Sequence, residues 1–359
     1  MSENYYFYVG SYTESTSFTT VEPRENGITL FEFDRKTNST KYIDDFGAGI
    51  NPSFLTIHPS KKSLYSITEI DNGTITAFKI DPDSKKLTTM NTQSTNGSSP
   101  CHISIDQTEK YCFVANYDSG SVCVFALNSD GSLGNITGFA QHQGQGINPE
   151  RQEGPHAHSF TISPENKYAI AADLGIDKVL VYKIEHLTGK ISLLPELSVS
   201  LEPGAGPRHF DFHPNHQFAY VINELNSTIT SLSYESNSGA LTPINTISTV
   251  PESFSGINST ADIHVLQNGK FLYGSNRGHN SIFLAKIDQS TGSIEGINTF
   301  STKGEIPRNF ALTPDDDFLF AANQDSHSII VYSVDKTTGN LTETGEMINT
   351  PKPICIKFL

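Results

Sequence analysis

The stretch PRHFDFHPNHQFAYVINELNSTITSLSY, residues 207–234, and its counterpart PRNFALTPDDDFLFAANQDSHSIIVYSV, residues 307–334, decide the fold. Each holds three short apolar runs rich in Val, Ile, Phe, Tyr and Thr. Runs of this length are too short for helices and read as strands. Four more copies begin at Pro52, Pro100, Ala157 and Thr260, spaced at a period near 50 residues, roughly that of a propeller blade. In all six copies the residue sixteen positions after the first one closes the second apolar run: Thr68, Asn116, Asp173, Asn223, Asn276 and Asn323. Turn signals such as Asp130-Gly131, Ser238-Gly239 and Thr338-Gly339 then introduce a fourth strand. A four-stranded antiparallel meander repeated in this way is a propeller blade.

The chain ends supply the last blade. FYVGSYT from Phe7 and GITLFEFDRKTNSTK from Gly27 match the second and third strands plus the turn, without a first strand. PICIKFL from Pro353 has the pattern of that missing strand. Pairing the two termini in one sheet closes a ring and removes exposed sheet edges. The expected architecture is all-β: a single seven-bladed β-propeller over residues 1–359.

Composition agrees with a packed globular chain: 36% hydrophobic, 18% charged, 27 Gly and 18 Pro in 359 residues. The 24 Lys+Arg against 39 Asp+Glu give a net charge of −15, which disfavours nucleic acid and anionic membrane as partners. Any anionic ligand needs a locally cationic pocket. Cys101, Cys112, Cys123 and Cys355 form no CxxC pair and stand at no zinc-finger spacing, so buried free thiols are expected. The opening MSENYYFYVGSYT lacks a basic region followed by an apolar core, so a cytoplasmic protein is expected. Oligomeric state is left open.

Because the copies share a register, equivalent positions can be compared within one chain. One residue past each opening position reads Ser53, Cys101, His158, Arg208, Ala261, Arg308 and Ile354. One residue past each closing position reads Tyr12, Glu69, Tyr117, Leu174, Glu224, Arg277 and Gln324. Both sets belong at one mouth of the axial channel. Three arginines, two glutamates and a histidine in such a ring suit a small anionic substrate, because guanidinium forks bind phosphate or carboxylate. The same charges would also serve as an inter-blade ion-pair network that staples the ring. His156 offers a second imidazole, whereas His102, His209 and His279 read as structural. The polar connection 139–155 reads as a flap over the mouth or as an ordinary insertion. Arginines in the ring repel a cation, so neither a metal nor another cofactor is expected.

At these residues the sequence resembles the seven-bladed lactonase family of bacterial propeller-type 6-phosphogluconolactonases and fungal carboxy-cis,cis-muconate cyclising enzymes. The pieces that carry the resemblance are GPHAHSFTISP (154–164), GAGPRHFDFHP (204–214), YVINE (220–224), SNRGHNSI (275–282), PRNFALTP (307–314) and PKPICIKF (351–358). Thr68-Glu69 departs from the Asn-Glu common in the family's second blade. The resemblance implies catalytic roles for His158, Arg208, Glu224 and Arg277, and no cofactor. Lactone hydrolysis would use Glu224 and His158 as base and acid in either order, with Arg277 on the oxyanion and Arg208, with Arg308, on a phosphate. Glu69, Gln324, Tyr117 and His156 complete the expected substrate contacts. Cyclisation of a carboxylated muconate and a non-catalytic propeller that binds proteins are the competing readings.

Overall fold

In the computed structural model, which describes residues 4–359, seven antiparallel sheets surround one axis. Blade 1 is the composite one: the innermost strand Pro353–Phe358 pairs with Asn4–Ser11, followed outward by Asn26–Asp34 and Ser39–Gly47. The register Phe7↔Phe358 to Ser11↔Pro353 closes the ring as expected. Blades 2 to 7 begin with the innermost strands Leu55–Ile57, Pro100–Ile105, Ala157–Ile162, Pro207–Phe212, Ser259–Val265 and Pro307–Leu312. Among the described residues the only helical elements are two short 3-10 turns, and no helix is long and apolar enough to cross a membrane.

Blade 4 departs from the simple meander. Its outer strand is split into Lys190–Leu193 and Val199–Ser200, both paired to Lys178–Glu185. The 3-10 turn Pro195–Leu197 separates the pieces. Proline has no N–H to donate to the ladder, so the outer edge breaks where Pro195 falls.

The core lies between blades, in clusters shared by neighbours such as Tyr8, Leu30, Leu64, Ile75 and Cys112. All four cysteines are free and buried. A tyrosine on the second strand of one blade reaches the outer turn of the next. Tyr65 donates to the Gly131 carbonyl at 2.8 Å, Tyr220 to Gly292 at 3.2 Å and Tyr273 to Gly339 at 2.6 Å. The turn glycine is required on two grounds, illustrated by Gly292. Its φ is +73°, and a Cβ there would lie 2.3 Å from the Phe218 ring of the preceding blade. The Asp-Gly and Thr-Gly signals of the sequence are therefore the contact points of the blades as well as their turns.

Candidate active site

The residue after each opening position is set into the channel by a β-bulge. In blades 3, 4, 5 and 7 the pairs Pro100↔Asn116, Ala157↔Asp173, Pro207↔Asn223 and Pro307↔Asn323 hold, and the ladder then slips by one residue. The next pairs are His102↔Ala115, Ser159↔Ala172, His209↔Ile222 and Asn309↔Ala322. Cys101, His158, Arg208 and Arg308 are the extra, unpaired residues. A bulge bends its strand and re-aims a side chain, which is how these four reach the axis instead of following the pleat. On the neighbouring strand, buried asparagine amides hold the closing position. Asn276 Nδ2 donates to the Thr249 carbonyl at 2.9 Å and Asn323 Nδ2 to the Thr302 carbonyl at 2.8 Å. The residue that follows each asparagine emerges at the mouth.

The mouth opens into a cleft of about 930 Å³, lined among others by Glu69, Tyr117, His156, His158, Glu224, Arg277, Arg308 and Gln324. Eight of the nine residues singled out in the sequence thus share one cavity. Arg208 lies beneath it, against a small chamber that also touches Glu69, His158 and Arg308. Leu174, read as a member of the ring, instead begins the 3-10 turn Leu174–Ile176, which the Asp173 side chain caps.

Glu224 is the hub of the cationic side. Its Oε2 accepts from Arg208 Nε at 2.9 Å and lies 2.8 Å from Arg277 Nη2, while Oε1 accepts from Arg151 Nη2 at 2.6 Å. Burial alone would raise the carboxyl, but Arg277, Arg208 and Arg151 together hold it well below the usual carboxylate range. Arg208 is fixed further by donating from Nη1 to the Ala261 carbonyl at 2.6 Å. It is almost wholly buried, with Nε and Nη1 both committed. Arg277 donates from Nη2 to the Thr260 carbonyl at 2.8 Å, and its buried Nε has no partner among the described residues.

The opposite side is built differently. Tyr12 donates to both oxygens of Glu69, at 3.1 and 3.3 Å. Low-dielectric surroundings push the Glu69 carboxyl up, against the pull of Arg308. The Arg308 guanidinium stands 5.7 Å from the Tyr12 ring centre and 5.0 Å from that of Phe18. Among the described residues its side chain makes no hydrogen bond and no ion pair.

His158 lies on the floor between the two sides, with Nδ1 3.7 Å from Cys101 Sγ. Burial and the neighbouring Arg208 push the imidazole well below its usual range, so it is neutral at physiological pH. His156 is less free than its position in the sequence suggests. Its Nδ1 meets the Tyr117 carbonyl at 3.1 Å, its Nε2 meets Glu153 at 3.1 Å, and its ring stacks on Tyr117 at 4.5 Å. It positions Tyr117 rather than offering a free nitrogen. Gln324 donates to Asp325 at 3.1 Å and keeps a buried, unpartnered Oε1.

Arg151 is the site residue that the repeat comparison missed, because it belongs to no blade. It comes from the 139–155 connection, where it is the sole Lys or Arg, and that was the available signal. The connection is a tethered wall, not a loose flap. Gln152 is fully buried, and its Nε2 donates to the Leu174 carbonyl and to Asp177 Oδ1, both at 2.8 Å. The described residues contain no group of three His, Cys, Asp or Glu side chains arranged to hold a metal ion.

Residues 6–358 match the family model described as Lactonase, 7-bladed beta-propeller. A 6-phosphogluconolactonase of Bacillus subtilis is 38% identical over 360 residues, covering 99% of this chain and 98% of the relative. A 6-phosphogluconolactonase of Formosa agariphila is 36% identical over 86% of each chain. The solved structure of a periplasmic gluconolactonase from Pseudomonas aeruginosa superposes with a TM-score of 0.90 at 30% identity, covering 99% of both chains.

Proposed function

The chain belongs to the seven-bladed β-propeller lactonase family, and on that premise we propose that it hydrolyses a sugar lactone bearing a second anionic group, of the 6-phosphogluconolactone type. The observation that carries the anionic group is Arg308. It is a guanidinium in the cleft, backed by two aromatic rings and, among the described residues, with no carboxylate within ion-pair distance. A planar fork of this kind binds phosphate or carboxylate in two places at once.

We assign the acid and base roles by which group is already paired. Both oxygens of Glu224 are already engaged by arginines, so it serves as an anchor that holds Arg277, Arg208 and Arg151 in place. Neutral His158 takes a proton from water as the water oxygen bonds to the lactone carbonyl carbon. Arg277 donates to the oxygen on which negative charge builds. When the bond from carbon to the ring oxygen breaks, His158 returns the proton to the leaving alkoxide, and the new carboxylic acid ionises into solvent. Water and lactone become one hydroxy acid, and the histidine is regenerated.

A cytoplasmic location is part of the same reading and is compatible with four unpaired thiols. The test is a coupled assay on freshly generated 6-phosphogluconolactone, corrected for spontaneous hydrolysis, with Arg308→Ala beside the parent chain. The variant is expected to lose at least about tenfold in affinity for 6-phosphogluconate, on the order of a charge-assisted contact. Hydrolysis no faster than the spontaneous rate in the parent chain would end the lactonase reading. Unchanged affinity in Arg308→Ala would move the phosphate elsewhere.

A further inference from the structure

Below the floor of the cleft lies a chamber of about 20 Å³, enough for one water molecule. Glu69, Cys101, His158 and Arg308 line both cavities, so the chamber communicates with the place where the lactone sits. One nitrogen of its wall, His209 Nε2, is buried without a partner, and the Ser53 hydroxyl stands beside the Glu69 carboxyl.

The protonation of His209 follows from its other nitrogen. Nδ1 stands 2.7 Å from Asp262 Oδ1. Asp262 is fixed in turn by the Ile263 amide at 3.0 Å, by Asn309 Nδ2 and by His264 Nε2 at 3.2 Å. His264 and the remaining hydrogen bonds hold the Asp262 carboxyl well below its usual range, so it is an acceptor and Nδ1 carries the proton. Nε2 is therefore a lone pair on the far side of the ring, facing the chamber. A lone pair needs a donor, which water is and a halide is not. The His158 ring meets the His209 ring edge to face at 5.4 Å, which brings both imidazoles to the same small space.

We infer that the chamber holds the hydrolytic water, donating one hydrogen to His209 Nε2 and the other to His158, with its oxygen turned up toward the lactone carbonyl. His209 is a positioning residue, and Asp262 sets its tautomer. Only the hydrogen facing His158 is transferred; the one on His209 stays and fixes the angle of attack. The catalytic half of this inference rests on the lactone-hydrolysis reading, whereas the water site stands by itself.

A high-resolution crystal structure of the full chain is expected to show a water oxygen within hydrogen-bonding distance of His209 Nε2 and of a His158 ring nitrogen. No density there, or a halide, overturns the site whether or not the chain has activity. In solution, His209→Phe keeps an aromatic ring against Phe54 and His102 but offers no acceptor. It is expected to lower kcat roughly 10²-fold, the scale of a misplaced reactant, with affinity for 6-phosphogluconate within about twofold of the parent. His209→Gln, whose amide oxygen can accept from water, is expected to recover part of that loss. His209→Gln also serves as the milder variant if the aromatic substitution does not fold, with a smaller loss in kcat alone. Parent-like kcat in the folded variants overturns the role of the water. A parent chain that does not hydrolyse the lactone overturns the functional reading instead, and the crystallographic water then decides the site.

Discussion

Glu224 and Glu69 occupy the same repeat position, one residue past the closing residue of the second strand, yet they have opposite electrostatics. Glu224 faces Arg151, Arg208 and Arg277 and is held as an anion well below the usual carboxylate range. Glu69 faces Tyr12, with Arg308 beyond ion-pair distance, and its carboxyl is pushed up. Fold symmetry sets where a side chain stands, and the number of cations around it sets which protonation state it keeps. One glutamate anchors the arginine cluster. The other is free to carry a proton or to meet a polar group of the ligand.

The largest expected effect is on Glu224. Glu224→Gln keeps the shape but leaves three arginines around a neutral amide, so unfolding free energy should fall by about 3–5 kcal/mol, the cost of breaking a buried pair. Thermal or denaturant melting checks this. Loss of less than about 1 kcal/mol would mean that the arginines find other partners. Arg277→Ala tests the same cluster from the cation side. If it stabilises the oxyanion, kcat should drop by roughly 10²–10³ while substrate binding changes much less. Depressed melting with near-normal turnover would reduce the cluster to a structural clamp.

The pH dependence should separate the two carboxyls. A depressed folded value means that the Glu224 contribution to stability is present above its unfolded value near 4.5 and is lost as the pH falls through the folded value. A raised folded value gives Glu69 the reverse sign, with a contribution present at low pH and lost as the pH rises through the folded value. Melting curves over a pH series should therefore show Glu224→Gln flattening the acid limb and Glu69→Gln flattening the limb above it. At neutral pH Glu69→Gln should cost less than about 1 kcal/mol, since an amide oxygen still accepts from Tyr12. Equal melting losses for both glutamines would erase the distinction.

Arg151→Ala should have the smallest effect. Its side chain is 42% exposed, and an exposed ion pair contributes at most about 1 kcal/mol to stability. A melting loss as large as that of Glu224→Gln would make the 139–155 wall part of the core of the site rather than its edge.

The blade count, the strand order and the shared blade of the two termini were legible in the sequence because each strand repeats a local pattern. Alternation, turn glycines and the sixteen-residue interval are properties of neighbouring residues, and six copies reinforce one another. The same register brought His158, Glu224, Arg277, Arg308, Glu69, Tyr117 and Gln324 to one mouth. It could not show why the opening-ring residues face inward. That depends on a bulge whose extra residue is defined only against its partner strand.

What only the tertiary structure decided was how the charges are shared. Nothing local separates Arg208, buried against Glu224 and the Ala261 carbonyl, from Arg308, which has no carboxylate of the described residues within ion-pair distance. Both follow a proline at the same place in a blade. Arg151 reaches Glu224 from a connection that the repeat does not describe, across 73 positions of sequence. His209 reads as structural until Asp262, in the next blade, fixes its proton and leaves the other nitrogen facing the chamber. A strand pattern is written in short-range periodicity, whereas a protonation state or an unpaired guanidinium depends on groups that only the closed ring brings within a few ångströms.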